Sequence, residues 1–130
     1  MTIQPDMIGM VSKDMAASLR FYRLLGLDIP IGVDGEDHVE LITANGYRLA
    51  WDSLALVQQL NPHWVEPVGH RMGIAFKCAS PTEVDEVYQR MLDAGYANIT
   101  APWDAFWGQR YAVIRDPDDN PVDLFAPLER

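Results

Sequence analysis

Met7-Ile8-Gly9-Met10-Val11-Ser12 and Gly73-Ile74-Ala75-Phe76-Lys77-Cys78 are two short apolar runs, and each leads into an amphipathic stretch. The first is followed by Asp14 and the stretch Met15 to Leu25, the second by Ser80 and the stretch Pro81 to Leu92. One offset carries Met7 onto Gly73 and Tyr22 onto Tyr88. Each copy then continues into strand-like segments. The expected architecture is α+β: two βαβββ modules, approximately residues 5–53 and 69–127, joined by a linker over 54–68 within a single domain. Their half-sheets would face each other as a cup-shaped mixed sheet with a cavity between them.

The second helix carries the clearest start signal. Ser80-Pro81-Thr82-Glu83 is a capping box: serine at the cap, proline at the first helical position, and a glutamate that reaches back. Val84, Val87, Tyr88 and Met91 recur at helical spacing until Gly95. Asp14 caps the first helix, whose stripe is Met15, Leu19, Tyr22 and Leu25, with Gly26 as the stop. Ala44-Asn45-Gly46 between Asp37–Thr43 and Tyr47–Asp52 is a hairpin signal. Asp116-Pro117-Asp118-Asp119-Asn120 is a turn between Tyr111–Arg115 and Pro121–Phe125. Ile29–Val33 and Ala97–Thr100 are weaker strand candidates, and a short helix before Asn61-Pro62 is expected in the linker.

The totals narrow the function classes. A chain of 130 residues suits one domain, and no apolar run approaches a membrane span. The formal charge of −9 argues against nucleic acid, which is bound through a basic footprint. It also favours, weakly, a cationic ligand over an anionic one. Cys78 is the only cysteine, so no intrachain disulfide forms. The N-terminal residues lack the pattern of a signal peptide, and a cytoplasmic protein is expected.

Side chains alternate between the faces of a strand. Ile8 and Met10 fall on the helix side of the first strand, opposite Met7, Gly9 and Val11. Tyr47, Leu49 and Trp51 oppose Arg48, Ala50 and Asp52, which places Trp51 in the core. Met72, Ile74, Phe76 and Cys78 oppose Arg71, Gly73, Ala75 and Lys77, so Cys78 reads as a small core residue. Val122 and Leu124 oppose Pro121, Asp123 and Phe125. Each sheet is therefore expected to present a dense face to the helices and a second face with several small residues, leaving room for a ligand.

No nucleophile motif and no glycine-rich phosphate loop is present. His38, His63 and His70 sit in separate segments and read as surface or loop histidines. Asp52 and Asp123 are candidates for a paired acid and base, or for ion pairs with Arg48, Arg71 or Arg110. Pro102-Trp103-Asp104-Ala105-Phe106-Trp107-Gly108-Gln109-Arg110 packs three aromatic residues into five positions, and Trp64 sits in the linker. Such rings suit a planar or cationic ligand. Trp107 is read as a structural anchor of this loop, while Trp103 and Phe106 are divided between ligand contact and closure of the core.

Asp14-Met-Ala-Ala-Ser-Leu-Arg-Phe21-Tyr22-Arg-Leu-Leu-Gly26-Leu27 and Arg115-Asp116-Pro117-Asp118-Asp119-Asn120-Pro121-Val122-Asp123-Leu124-Phe125 together resemble the vicinal oxygen chelate superfamily. That superfamily includes glyoxalase I, extradiol dioxygenases and bleomycin-resistance proteins. Asp119 stands where its members usually carry glycine. The resemblance implies a homodimer. It also places the usual metal ligands at positions that here are Met7, Ala50, Gly73 and Asp123, of which only Asp123 is a hard ligand. Three such ligands are ordinarily needed, so no metal and no other cofactor is expected. The implied function is metal-independent sequestration of a small molecule, as in the bleomycin-resistance branch, whose members include antibiotic-resistance proteins. Expected ligand contacts are Arg48, Asp52, Trp64, Trp103, Phe106, Trp107, Asp123 and Phe125. The alternative is a lyase, isomerase or dioxygenase-like enzyme, with a displaced metal site that could draw on His70 with Asp52 or Asp123, or with metal-free acid–base catalysis at Asp123.

Overall fold

The structure is a computed structural model that describes residues 2–128. The chain divides into two compact units, Met1–Glu66 and Pro67–Arg130.

The first unit runs β1 (Ile8–Ser12), α1 (Met15–Leu25), β2 (His38–Ile42), β3 (Arg48–Ser53) and α2 (Leu54–Leu60). The strand order is β1-β3-β2, with β1 parallel and β2 antiparallel to β3. The Asp14 carboxylate accepts a hydrogen bond from the Ala17 amide, which fixes the start of α1. Gly26 ends α1 at φ 127, a conformation an L side chain rarely adopts. Leu19, Phe21 and Tyr22 of the helix are buried, and Tyr22 packs on Trp51 of the sheet. Ser12 and Ser18, both buried, satisfy each other at 2.6 Å between β1 and α1.

The expected strand over Ile29–Val33 does not form, and this unit holds three strands among the described residues. Pro30 supplies no amide for a ladder, and Gly32 turns the chain at φ 88. The Arg23 guanidinium takes the carbonyls that a partner strand would need. Its Nε donates to Ile29 and an Nη to Pro30, and it also pairs with Asp34 at 2.9 Å.

The second unit runs β4 (Ile74–Lys77), α3 (Pro81–Asp93), β5 (Asn98–Ala105), β6 (Gln109–Arg115) and β7 (Pro121–Pro127). Its order is β4-β7-β6-β5. Ser80 caps α3 by accepting from the Glu83 amide. Glu83 reaches one residue beyond a capping box and accepts from Ala79 N–H at 2.8 Å. Cys78 is buried, and burial pushes its thiol up to about 11. This is the inert core cysteine that strand parity predicts.

The segment read as an aromatic loop is mostly strand. Trp103 lies within β5, the chain turns over 106–108, and β6 resumes at Gln109. The weak candidate Ala97–Thr100 is the start of this longer strand, whose pairing with β6 is irregular between Asn98 and Trp103. His70 falls outside β4, in the exposed segment before it.

The turn before β7 is built on Asp116. Its carboxylate accepts from the Asp118 and Asn120 amides and from Asn120 Nδ2 at 2.8–2.9 Å. Asp119 takes φ 66, so it keeps the left-handed backbone a glycine would favour. Asp119→Gly is expected to raise stability by about 0.5–1 kcal/mol, because relief of the strained φ outweighs the added freedom of the unfolded chain. Urea unfolding of the two proteins checks this.

Candidate functional site

The hairpin β2–β3 pairs residues symmetrically about Asn45: His38 with Asp52, Glu40 with Ala50 and Ile42 with Arg48. Parallel pairing sets Gly9 beside Ala50 and Val11 beside Asp52. The sheet face away from α1 therefore carries Gly9, Ala50 and Glu40 across one row, and Val11, Asp52 and His38 across the next. The charged residues join into a chain. Asp52 Oδ1 lies 2.5 Å from His38 Nδ1, and His38 Nε2 lies 2.9 Å from Glu40 Oε1. Arg48 donates from Nε and an Nη to the two Glu40 oxygens, and from its other Nη to Asp6. Charges alternate along the row: Asp52, His38, Glu40, Arg48, Asp6.

Asp52 and then Glu40, bonded to its two ring nitrogens, hold the His38 imidazole protonated to higher pH than a free histidine. Arg48, and then His38, hold Glu40 below the usual carboxylate range. A raised histidine contributes stability that is fully present below about pH 6.5 and is lost as pH rises through its folded pKa. A depressed carboxylate contributes stability that is lost as pH falls through its own lowered pKa. His38→Gln is therefore expected to destabilise most near pH 6 and least near pH 9. The ring is 42% exposed, so solvent screening keeps the effect small. Urea midpoints of both proteins at the two pH values check it.

The second unit gathers aromatic rings. Trp107 stands edge-on to Trp103, Phe106 and Tyr111, with centroids 5.5, 5.0 and 5.2 Å away. Its indole Nε1 donates to Gln109 Oε1 at 2.8 Å. Phe106 is 89% exposed, Trp107 47% and Trp103 38%. Tyr111 lies beside Phe125 in the β6–β7 pairing and donates its hydroxyl to Asp123 Oδ2 at 2.8 Å. Desolvation, reinforced by this bond, pushes the Tyr111 phenol up to about 12. Asp123 is thus linked through Tyr111 to the aromatic group, while Arg110 is taken by Asp85 and Asp104.

The expected contacts therefore fall into two sets. Arg48 and Asp52 belong to the polar row of the first unit. Trp103, Phe106, Trp107, Asp123 and Phe125 belong to the second. Trp64 lies half-buried in the turn after α2. His63 and His70 are exposed, and neither joins the row. Residues the sequence reading passed over are Glu40 and Tyr111, and His38, read as a surface histidine, is exposed and joins the row through Asp52 and Glu40. The symmetry of the hairpin about Asn45 is the signal that places His38 and Glu40 beside Asp52 and Arg48.

The residues at the usual metal positions do not fit a divalent ion. Met7 precedes β1, Ala50 is a buried methyl, Gly73 has no side chain, and Asp123 is engaged by Tyr111. Among the described residues no group of three His, Cys, Asp or Glu is placed to hold a metal ion. Nor is any of their helices long and apolar enough to cross a membrane.

A stretch of 47 residues is 50% identical to uncharacterized proteins of Mycobacterium bovis and Mycobacterium tuberculosis. It covers 36% of this chain, 31% of the M. bovis protein and 28% of the M. tuberculosis one, so the match spans less than a third of either relative. The fold is shared with a hypothetical protein from S. aureus at TM-score 0.81 and 18% identity, covering 96% of this chain and 94% of that one. It is shared with a glyoxalase-related enzyme from Fulvimarina pelagi at TM-score 0.79 and 22% identity, covering 95% and 87%. A glyoxalase/bleomycin resistance protein/dioxygenase family enzyme from Burkholderia phytofirmans PsJN superposes at TM-score 0.77 and 19% identity, covering 95% and 98%. Residues 4–124 match one family description throughout, and the chain belongs to the Glyoxalase/Bleomycin resistance protein/Dioxygenase superfamily.

Proposed function

We propose that the chain is a metal-independent small-molecule binding protein that acts by sequestering an amphipathic ligand with a planar or cationic part. The observation that carries the reading is the exposed aromatic group of Trp103, Phe106 and Trp107, braced by Tyr111 on Asp123. Exposed rings already ordered against one another offer flat apolar area at little further loss of freedom. The Asp123 carboxylate, at the far end of the Tyr111 hydroxyl, favours positive charge nearby. The metal positions supply one carboxylate where a catalytic ion ordinarily takes three ligands. The reading keeps a homodimer and the cytoplasm as its setting, and includes antibiotics among the ligand classes.

Two measurements test it. Bound metal per chain, determined on protein purified without chelators or a histidine tag, is expected to stay far below one equivalent after incubation with zinc, nickel, manganese or ferrous iron. A stoichiometric ion would overturn the reading and make a lyase, isomerase or dioxygenase the better one. Titration with planar aromatic cations is expected to quench tryptophan emission in a saturable way. Trp51 is 1% exposed, so quenching reports on Trp64, Trp103 and Trp107.

A further inference from the structure

A cavity of about 270 Å³ opens at the end of the first sheet, lined by Pro5, Asp6, Met7, Ile8, Gly46, Tyr47 and Arg48. Its floor is fixed by the hairpin turn. Thr43 N–H donates to the Tyr47 carbonyl, Tyr47 N–H to Thr43 Oγ1, and Gly46 N–H to the Thr43 carbonyl, all at 2.8–2.9 Å. The walls are apolar, from Pro5, Met7, Ile8 and the half-exposed ring of Tyr47. The volume sits at the lower edge of the range for ligand pockets, so the occupant is small, about one ring or a short chain.

The polar end of the cavity settles the sign of the ligand. Among the described residues Arg48 is the only cation lining it, and its three nitrogens are already engaged by two carboxylates, Glu40 on both oxygens and Asp6. An anionic ligand would have to displace one of them. Arg48, Glu40 and Asp6 together carry one net negative charge. Further along the row, His38 offsets the Asp52 charge when it is protonated. The Asp6 side chain is 73% exposed, which leaves its carboxylate open to solvent and to a ligand. The Tyr47 ring beside it offers a π face to a cation.

From this arrangement we infer that the first unit holds a site for a small ammonium or guanidinium ligand with a short apolar body, its charge on Asp6 and its body against Tyr47 and Met7. This inference rests on the binding reading only in taking a small molecule as the occupant. It uses none of the aromatic residues of the second unit.

The test is amide and indole chemical-shift mapping on the full-length ¹⁵N-labelled protein, titrated separately with benzylammonium and with benzoate. Benzylammonium is expected to shift the amides of residues 6–8 and 46–48, with benzoate leaving them unmoved at the same concentration. Asp6→Asn is expected to weaken benzylammonium roughly threefold, the scale of one ion pair at a largely exposed site. Asp93→Asn removes the same charge from the second unit and is expected to leave that affinity unchanged. Shifts confined to the Trp103 and Trp107 indole signals would overturn this site while supporting the aromatic platform. Stronger binding of benzoate would overturn the assigned charge. Equal weakening by Asp93→Asn would reduce the effect to net charge alone, and absence of any shift would dispose of the site.

Discussion

Trp51→Ala is expected to lower the free energy of unfolding by about 4 kcal/mol, the range for removing a large buried aromatic side chain. Trp51 sits on β3, the central strand of its sheet, between Met10 of β1 and Val39 of β2. Its ring is 1% exposed and packs on Tyr22, 5.2 Å away. The Tyr22 hydroxyl in turn donates to Met10 Sδ, so the loss of the indole loosens a contact that ties α1 to β1. A small unit of this kind is stabilised by roughly 5–15 kcal/mol in total, and the variant should show a plain fall in its urea midpoint. Trp51→Phe separates two contributions. The indole Nε1 is buried without a hydrogen-bond partner among the described residues. Replacing it removes an unpaired donor along with some volume, so this variant should cost distinctly less, about 1–2 kcal/mol. If Trp51→Ala lost less than about 1 kcal/mol, the packing of α1 on this sheet would be wrongly assigned.

The core and the helix ends were open to reading because each rests on a local signal. Asp14 and Ser80 have cap geometry, Gly26 and Gly95 have positive φ, and parity put Trp51, Cys78, Val122 and Leu124 on the helix faces. The same parity put Arg48, Ala50 and Asp52 on the other face, and pairing with β2 and β1 confirms that they share it. What parity could not supply was pairing between segments. Read alone, His38 is a surface histidine at a strand start; placed opposite Asp52 it becomes the link between Asp52 and Glu40 in a five-residue charge chain. Ile29–Val33 failed for a related reason. Its apolar composition suggests a strand, but an arginine seven residues earlier in sequence takes the backbone carbonyl of Pro30. The aromatic segment was found by composition and misread in conformation, since Trp103 belongs to β5. Strand placement fixes its backbone more firmly than a loop would. The fold class and family were thus legible from motifs, whereas the polar row and the Tyr111–Asp123 link depended on register.

The second large effect concerns ligand affinity. The paired substitution Trp103→Ala with Phe106→Ala is expected to weaken binding of a planar aromatic cation by roughly 10- to 100-fold, from two ring contacts each worth about 0.5–1.5 kcal/mol. Phe106 is the more telling of the two. It is 89% exposed and touches only Trp107 among the ring pairs described, so its removal should barely change stability. Any loss of affinity in Phe106→Ala then reports contact with the ligand. Trp107→Ala is less informative, because that ring meets three others and its Nε1 holds Gln109, so its loss would disturb the whole group. Tyr111→Phe removes the bond to Asp123 while keeping the ring. It is expected to leave stacking in place and to change affinity only for ligands whose charge reaches Asp123. Fluorescence quenching for the tryptophan-retaining variants, and calorimetry for the pair, give the affinities. An unchanged affinity in the pair, with the fold intact by circular dichroism, would remove the aromatic group from the ligand site.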